Sequence, residues 1–137
     1  MRISLDLLFH TINDIERVGD LSENIAELAQ DTIKNNIRFS NNAIDEIKKI
    51  YAKALEGYSL SLEAMKANDT SIARKVIELE EEVDELDKNY RDEHMRRLNK
   101  HICSIDSGII YLDLLTNIER ISDHSASIAK RVIMLNK

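Results

Sequence analysis

Residues 107–135 read SGIIYLDLLTNIERISDHSASIAKRVIML, and one face of this stretch sets the fold class. Tyr111, Leu115, Ile118, Ser122, Ser125, Ala129 and Val132 recur at three- and four-residue spacing, the period of an amphipathic α-helix. Three other segments carry the same period. The first runs from about Ser4 to Asn35, with Leu5, Leu8, Ile12, Ile15, Gly19, Ser22, Ala26, Ala29 and Ile33 expected inside. The second, from about Asn41 to Ala67, places Ile44, Ile47, Tyr51, Leu55, Tyr58, Leu62 and Met65 on one face. The third, about Thr70 to Lys100, carries Ile72, Val76, Leu79, Val83, Leu86 and Tyr90, continuing less cleanly to Arg97 and Leu98.

The punctuation between these segments is sparse. The 137 residues contain no proline and three glycines, Gly19, Gly57 and Gly108, which favours long unbroken helices. Ser40 is placed to cap the second helix, and Asn68 or Asp69 the third. Short polar joints at Asn36–Ser40, Asn68–Asp69 and His101–Asp106 imply antiparallel neighbours. The expected fold is an all-α, antiparallel four-helix bundle of one domain. An extended coiled coil is the competing architecture, with ELEEEVDELDK in the third segment as its best stretch. Serine, glycine and alanine in the first and fourth stripes oppose it, because small residues weaken a zipper seam but let two helix backbones approach.

Charge narrows the function. Net charge is −6, a poor match for nucleic-acid phosphates or an anionic membrane surface. The single cysteine, Cys103, cannot form an internal disulfide and fits a reducing compartment; a structural thiol is the expected role. No stretch approaches the roughly 20 apolar residues of a membrane span, and the N-terminal patch is broken by Asp6 and His10. A soluble, cytoplasmic chain is the expectation. Tyr51, Tyr58, Tyr90 and Tyr111 fall on the stripes, with hydroxyls expected at the rim.

An internal repeat carries the functional signal. Residues 14–26 read DIERVGDLSENIA and residues 117–129 read NIERISDHSASIA. Glu16 and Glu119, Arg17 and Arg120, Asp20 and Asp123, and Ser22 and Ser125 are each 103 positions apart. Amphipathicity alone preserves apolar period, not Glu-Arg-x-x-Asp with the same small residues around it. Each copy holds a carboxylate pair at i and i+4, on one helix face at the edge of the stripe. Two like charges there repel unless something positive lies beside them, and a hard cation such as Mg²⁺, Ca²⁺, Mn²⁺ or iron suits carboxylates. The competing reading is that Arg17 and Arg120 neutralise Asp20 and Asp123 as surface ion pairs.

Glu80 and Asp84 are a third i,i+4 pair, with Glu81 as an alternative; the rest of that acidic run reads as a solvated face. None of His10, His94, His101 and His124 stands three residues after a glutamate, so the Glu-x-x-His signature of di-iron bundles is missing. His124, beside Asp123, reads as a surface or interface residue. No glycine-rich phosphate cradle and no catalytic constellation is present.

The two elements resemble the paired acidic motifs of the PhoU family, whose usual form is two three-helix repeats. ELEEEVDEL, RDEHMRRLNKHICS and YLDLLTNIERISDHSASIAK are most similar to the PhoU-like domain of bacterial sodium/phosphate cotransporter-related proteins. The resemblance implies a division into residues 1–38, the last helix of a first repeat, and 39–137, a complete second repeat. On the same resemblance, the two helices that precede the first motif in the family are expected to have no counterpart within these 137 residues. It further implies metal ligation by Glu16, Asp20, Glu80, Asp84, Glu119 and Asp123, with iron, manganese, zinc or magnesium as the ion. The implied role is non-catalytic regulation of phosphate uptake or signalling, through a transporter's membrane part or a signalling partner at the inner membrane face. Apolar surface on the first helix favours a homodimer, and the site around Glu16 and Asp20 is expected to be either incomplete or completed by the second copy. A metal-free interaction or oligomerisation module is the alternative; a carboxylate-bridged metalloenzyme is the third reading.

Overall fold

The structure, a computed structural model, describes residues 5–137. Ser4, expected at the start of the first helix, lies outside them. Four helices account for the described fold: α1 (Leu5–Lys34), α2 (Asn41–Ala67), α3 (Thr70–Asn99) and α4 (Ile105–Leu135). The chain is an all-α bundle, and the extended coiled coil is not formed.

Local chemistry fixes the helix ends. The Ser40 hydroxyl accepts from the Ala43 amide at 3.1 Å and starts α2. Asn68 takes a left-handed φ of 51°, ends α2, and passes directly to Asp69. The Asp69 carboxylate then accepts from the Ser71 and Ile72 amides at 2.9 and 3.2 Å and opens α3. Ser104 caps α4 through the Ser107 amide, two residues earlier than the apolar stripe places its start.

Three helices form the body. α3 runs antiparallel to both α2 and α4, as Arg97–Glu46, Lys53–Glu82 and Arg91–Thr116 contacts register. α2 and α4 lie parallel: Glu46 meets Tyr111 near their starts and Asn68 meets Asn136 at their ends. α4 is the centre. It packs against the three other helices, and all seven residues expected on its core face are buried. Ile110, Ile121, Ala126 and Ile128 are buried as well, so α4 is enclosed on several sides. Each fully buried aliphatic side chain there stabilises the fold by about 1.5–3 kcal/mol.

α1 joins this body through α4, antiparallel to it, with Asn24 donating to Asn117 at 3.2 Å. From α2, the Tyr58 ring packs against the cluster of Val18, Leu21 and Ile121. The buried line of α1 is Thr11, Asp14, Val18 and Leu21, continued by partly buried Ile25 and Leu28. The expected stripe is therefore corrected by one residue, a rotation of about 100°. Leu8, Ile12, Ile15 and Ile33 face outward, and Gly19 has nothing within 4 Å of its Cβ direction.

α2 shows the same one-residue correction. Its inner line is Ala43, Ile50, Ala54, Gly57, Ser61 and Ala64, while Ile44, Tyr51 and Leu55 are exposed. Small residues sit where backbones approach, and larger apolar ones lie to either side. A stripe weighted by bulk follows the flank instead of the contact line. The α3 stripe is largely as expected, with Val76 and Val83 buried. Among the described residues, no helix is long and apolar enough to cross a membrane.

Candidate metal centre

The antiparallel register of α3 and α4 sets two acidic pairs opposite one another. Glu80 and Asp84 are one turn apart on α3, and Glu119 and Asp123 are one turn apart on α4. Glu80, Asp84 and Asp123 each offer a carboxylate oxygen, and these three atoms lie within 4.8 Å of one another. Glu119 stands beside Asp123 and within the field of Asp84 and Asp87.

Electrostatics reflects the crowding. Burial, then the Asp84 carboxylate and the Asp123 charge, push Glu80 up to about 7, with Lys130 opposing. Burial, then the hydrogen bond and charge of Asp123, with smaller contributions from Asp84 and Asp87, push Glu119 up to about 7 as well. Repulsion of this kind is relieved by protons or by a cation, and oxygen-only donors match the hard divalent ions. The donor set therefore fits such an ion. Among nearby cations, the Lys130 charge offsets part of the repulsion at Glu80. Arg91 is taken by Asp87 at 3.0 Å, and neither Arg17 nor Arg120 reaches a carboxylate within 4.0 Å among the described residues. The expected surface ion pairs to Asp20 and Asp123 are not formed.

The α1 pair is placed differently. Asp20 is exposed and lines a cavity of ≈ 520 Å³ between α1 and α4, shared with Arg17, Leu21, Asn24, Arg120, Asp123 and His124. Glu16 is exposed and lines neither this cavity nor the α3–α4 group, and Glu81 is exposed outside that group. Of six expected ligands, the structure thus gathers Glu80, Asp84 and Asp123, holds Glu119 beside Asp123, sets Asp20 across a cavity from Asp123, and leaves Glu16 apart.

One polar group escaped the sequence reading. Asp14 is buried and receives both His124 Nδ1, at 2.7 Å, and the Arg131 guanidinium. The repeat held the signal: Asp14 and Asn117 share its first position, and both are buried polar residues with side-chain partners. His124, read from sequence as a surface or interface residue, is partly exposed and meets Asp14 of α1. His94 is buried and stacks on Tyr111 with ring centroids 5.1 Å apart, and the Tyr111 hydroxyl donates to Glu46 at 2.8 Å. Cys103 is partly exposed in the joint before α4.

Known proteins are similar to this chain over most of its length. The PhoU domain model matches residues 47–132. The chain is 27% identical over 123 residues to the phosphate-specific transport system accessory protein PhoU homolog 1 of Thermotoga maritima, covering 90% of this chain and 52% of that protein. It is 23% identical over 122 residues to YjbB of Salmonella typhimurium, a protein named for inorganic phosphate export, covering 88% of this chain and 22% of that one. The chain thus spans about half the length of the first relative and about a fifth of the second. No solved structure matches at a significant level. With a family model that spans most of α2 and all of α3 and reaches Val132 of α4, the chain belongs to the PhoU domain family.

Proposed function

We propose that this PhoU domain is a non-catalytic regulatory module of phosphate uptake or phosphate signalling that binds a metal ion through Glu80, Asp84, Glu119 and Asp123. The observation that carries the reading is the convergence of Glu80, Asp84 and Asp123 from two antiparallel helices with Glu119 beside Asp123, and Glu80 and Glu119 are both raised to about 7. Bound there, iron, manganese, zinc or magnesium supplies a positive centre directly on the carboxylate oxygens, beyond the Lys130 charge that already faces Glu80. Glu80 and Asp84 hold the α3 side, Glu119 and Asp123 the α4 side, and loading fastens the two helices to each other. A transporter's membrane part or a signalling protein at the cytoplasmic face reads that change. The relatives' names, one for a phosphate transport accessory protein and one for phosphate export, support the phosphate connection.

The pair Glu16 and Asp20 belongs to this reading as a second, incomplete site on the motif helix of residues 1–38, with residues 39–137 as the complete repeat. Its remaining ligands come from a second copy that packs on the exposed apolar face of α1 and forms a homodimer. The same face, with Leu8, Ile12, Ile15 and Ile33 in water, favours the alternative of a metal-free interaction module.

Elemental analysis of protein purified without chelator separates the two. The Glu80/Asp84/Glu119/Asp123→Ala variant serves as control, with helicity followed by circular dichroism. Stoichiometric metal in the parent that is lost from a helical variant supports the metal module. A parent that stays metal-free after incubation with all four metals sinks it and leaves the interaction module.

A further inference from the structure

The cavity between α1 and α4 follows the repeat in its own lining. Arg17, Asp20 and Leu21 come from α1, and Arg120, Asp123 and His124, each 103 positions later, come from α4. Because the helices are antiparallel, the two motif copies face each other about an approximate local twofold axis at the cavity. Both motif arginines thereby reach one space.

Neither arginine is otherwise employed. Arg91, Arg96, Arg97 and Arg131 each hold a carboxylate, whereas Arg17 and Arg120 have no ion pair or hydrogen-bond partner among the described residues. Asn24 adds an amide to the same wall while donating to Asn117 at 3.2 Å. His124 is anchored from behind by Asp14 at 2.7 Å. Two guanidinium forks line one cavity, and each can offer two parallel N–H groups to an oxyanion.

We propose that this cavity binds a phosphate-class oxyanion between Arg17 and Arg120, and that a cation on the α3–α4 carboxylates is required for tight binding. Charge explains the requirement. Two arginines face Asp20 and Asp123, so the cavity is close to neutral by itself. A cation that engages Asp123 withdraws one of the opposing charges and leaves the cavity positive. The inference rests on the metal reading above and extends it: the ion and the anion share Asp123 as their common wall, and each strengthens the other's binding by the same factor. With ≈ 520 Å³ the space exceeds one orthophosphate, so the anion is either free phosphate or the phosphoryl end of a larger molecule.

The test is calorimetric titration of the full chain, loaded with manganese, with inorganic phosphate and with pyrophosphate. Arg17→Gln, Arg120→Gln and the double variant are measured beside it, with metal content determined on every sample. Each single change is expected to weaken the anion roughly tenfold, one charge-assisted contact, and the double change to abolish it at unaltered metal content. Tighter orthophosphate points to the free ion, and tighter pyrophosphate to a phosphorylated molecule. Binding unchanged in the double variant, or no anion uptake by a metal-loaded parent, overturns the proposal. A parent that takes no metal fails the earlier reading, and metal-independent anion binding refutes the coupling; loss of that binding in the arginine variants still supports the arginine pair.

Discussion

Asp14 on α1 and Arg131 on α4, 117 positions apart in sequence, form an ion pair in the contact that fastens α1 to the body. The other Asp14 oxygen takes His124 Nδ1 at 2.7 Å, so one buried carboxylate ties two residues of α4. Removing it strands a largely shielded guanidinium, which costs more than the pair contributes. Asp14→Ala is expected to destabilise the protein by about 2–3 kcal/mol, below the fully buried figure because Arg131 keeps a fifth of its side chain in water. The loss should concentrate in α1. Hydrogen exchange that accelerates there while α2–α4 stay protected bears this out; uniform loss across all four helices speaks against it.

Metal content should divide the six acidic positions unevenly. Asp84→Ala and Asp123→Ala each remove an oxygen from a group within 4.8 Å, and either is expected to lower metal stoichiometry or affinity at least tenfold. Glu16→Ala removes an exposed carboxylate outside that group and should leave the α3–α4 site filled. Equal losses from Glu16→Ala and Asp123→Ala would contradict the assignment.

The residues show what the sequence made legible. Helix limits follow from period and capping, because both are local: Ser40, Asp69 and the short joints sit where backbone chemistry requires them. The inward face was legible on α4, which is surrounded, and misjudged on α1 and α2. Ile15 and Ile118 occupy one repeat position, yet Ile118 is 1% exposed and Ile15 36%. The same motif packs against α2 and α3 in one copy and has no such pair over it in the other. The α3–α4 carboxylates were legible from i,i+4 spacing. The pairing of Asp14 with His124 and Arg131 was not: the repeat marks Asp14 as the counterpart of Asn117, but no local spacing reveals partners more than a hundred residues away.

Two glycines should respond in opposite directions to alanine. A Cβ at Gly108 meets His94 Cε1 at 2.8 Å and Nε2 at 3.0 Å, and that ring is held against Tyr111. Gly108→Ala is therefore expected to cost about 1–3 kcal/mol through overpacking. The same change beside His94→Ala should cost less than the sum of the two single changes. At Gly57 the nearest atom is Leu79 Cβ at 3.9 Å, an ordinary contact, so Gly57→Ala should gain roughly 0.5–1 kcal/mol from helix propensity. Denaturant titration of the four variants checks both, and a stabilising Gly108→Ala is the contrary result.

Acid should unfold the protein in part through His94. Burial, then the Arg97 charge, push its pKa below the usual 6.5, with Glu46 opposing. The unfolded chain accepts the proton near 6.5 while the folded chain resists, so this stability is present above that pH and lost as pH falls through and below it. Glu80 and Glu119, raised to about 7, act in the opposite sense: their contribution is full below the unfolded carboxylate pKa and declines as pH rises through 7. Both glutamates persist in His94→Gln, so they cancel in the difference between variant and parent. Measured in chelator from about pH 7.5 to about pH 5, the parent's Tm should fall relative to the variant's, whatever packing loss offsets the two curves at neutral pH. Parallel curves across that range would mean that His94 accepts its proton without opposition from the fold.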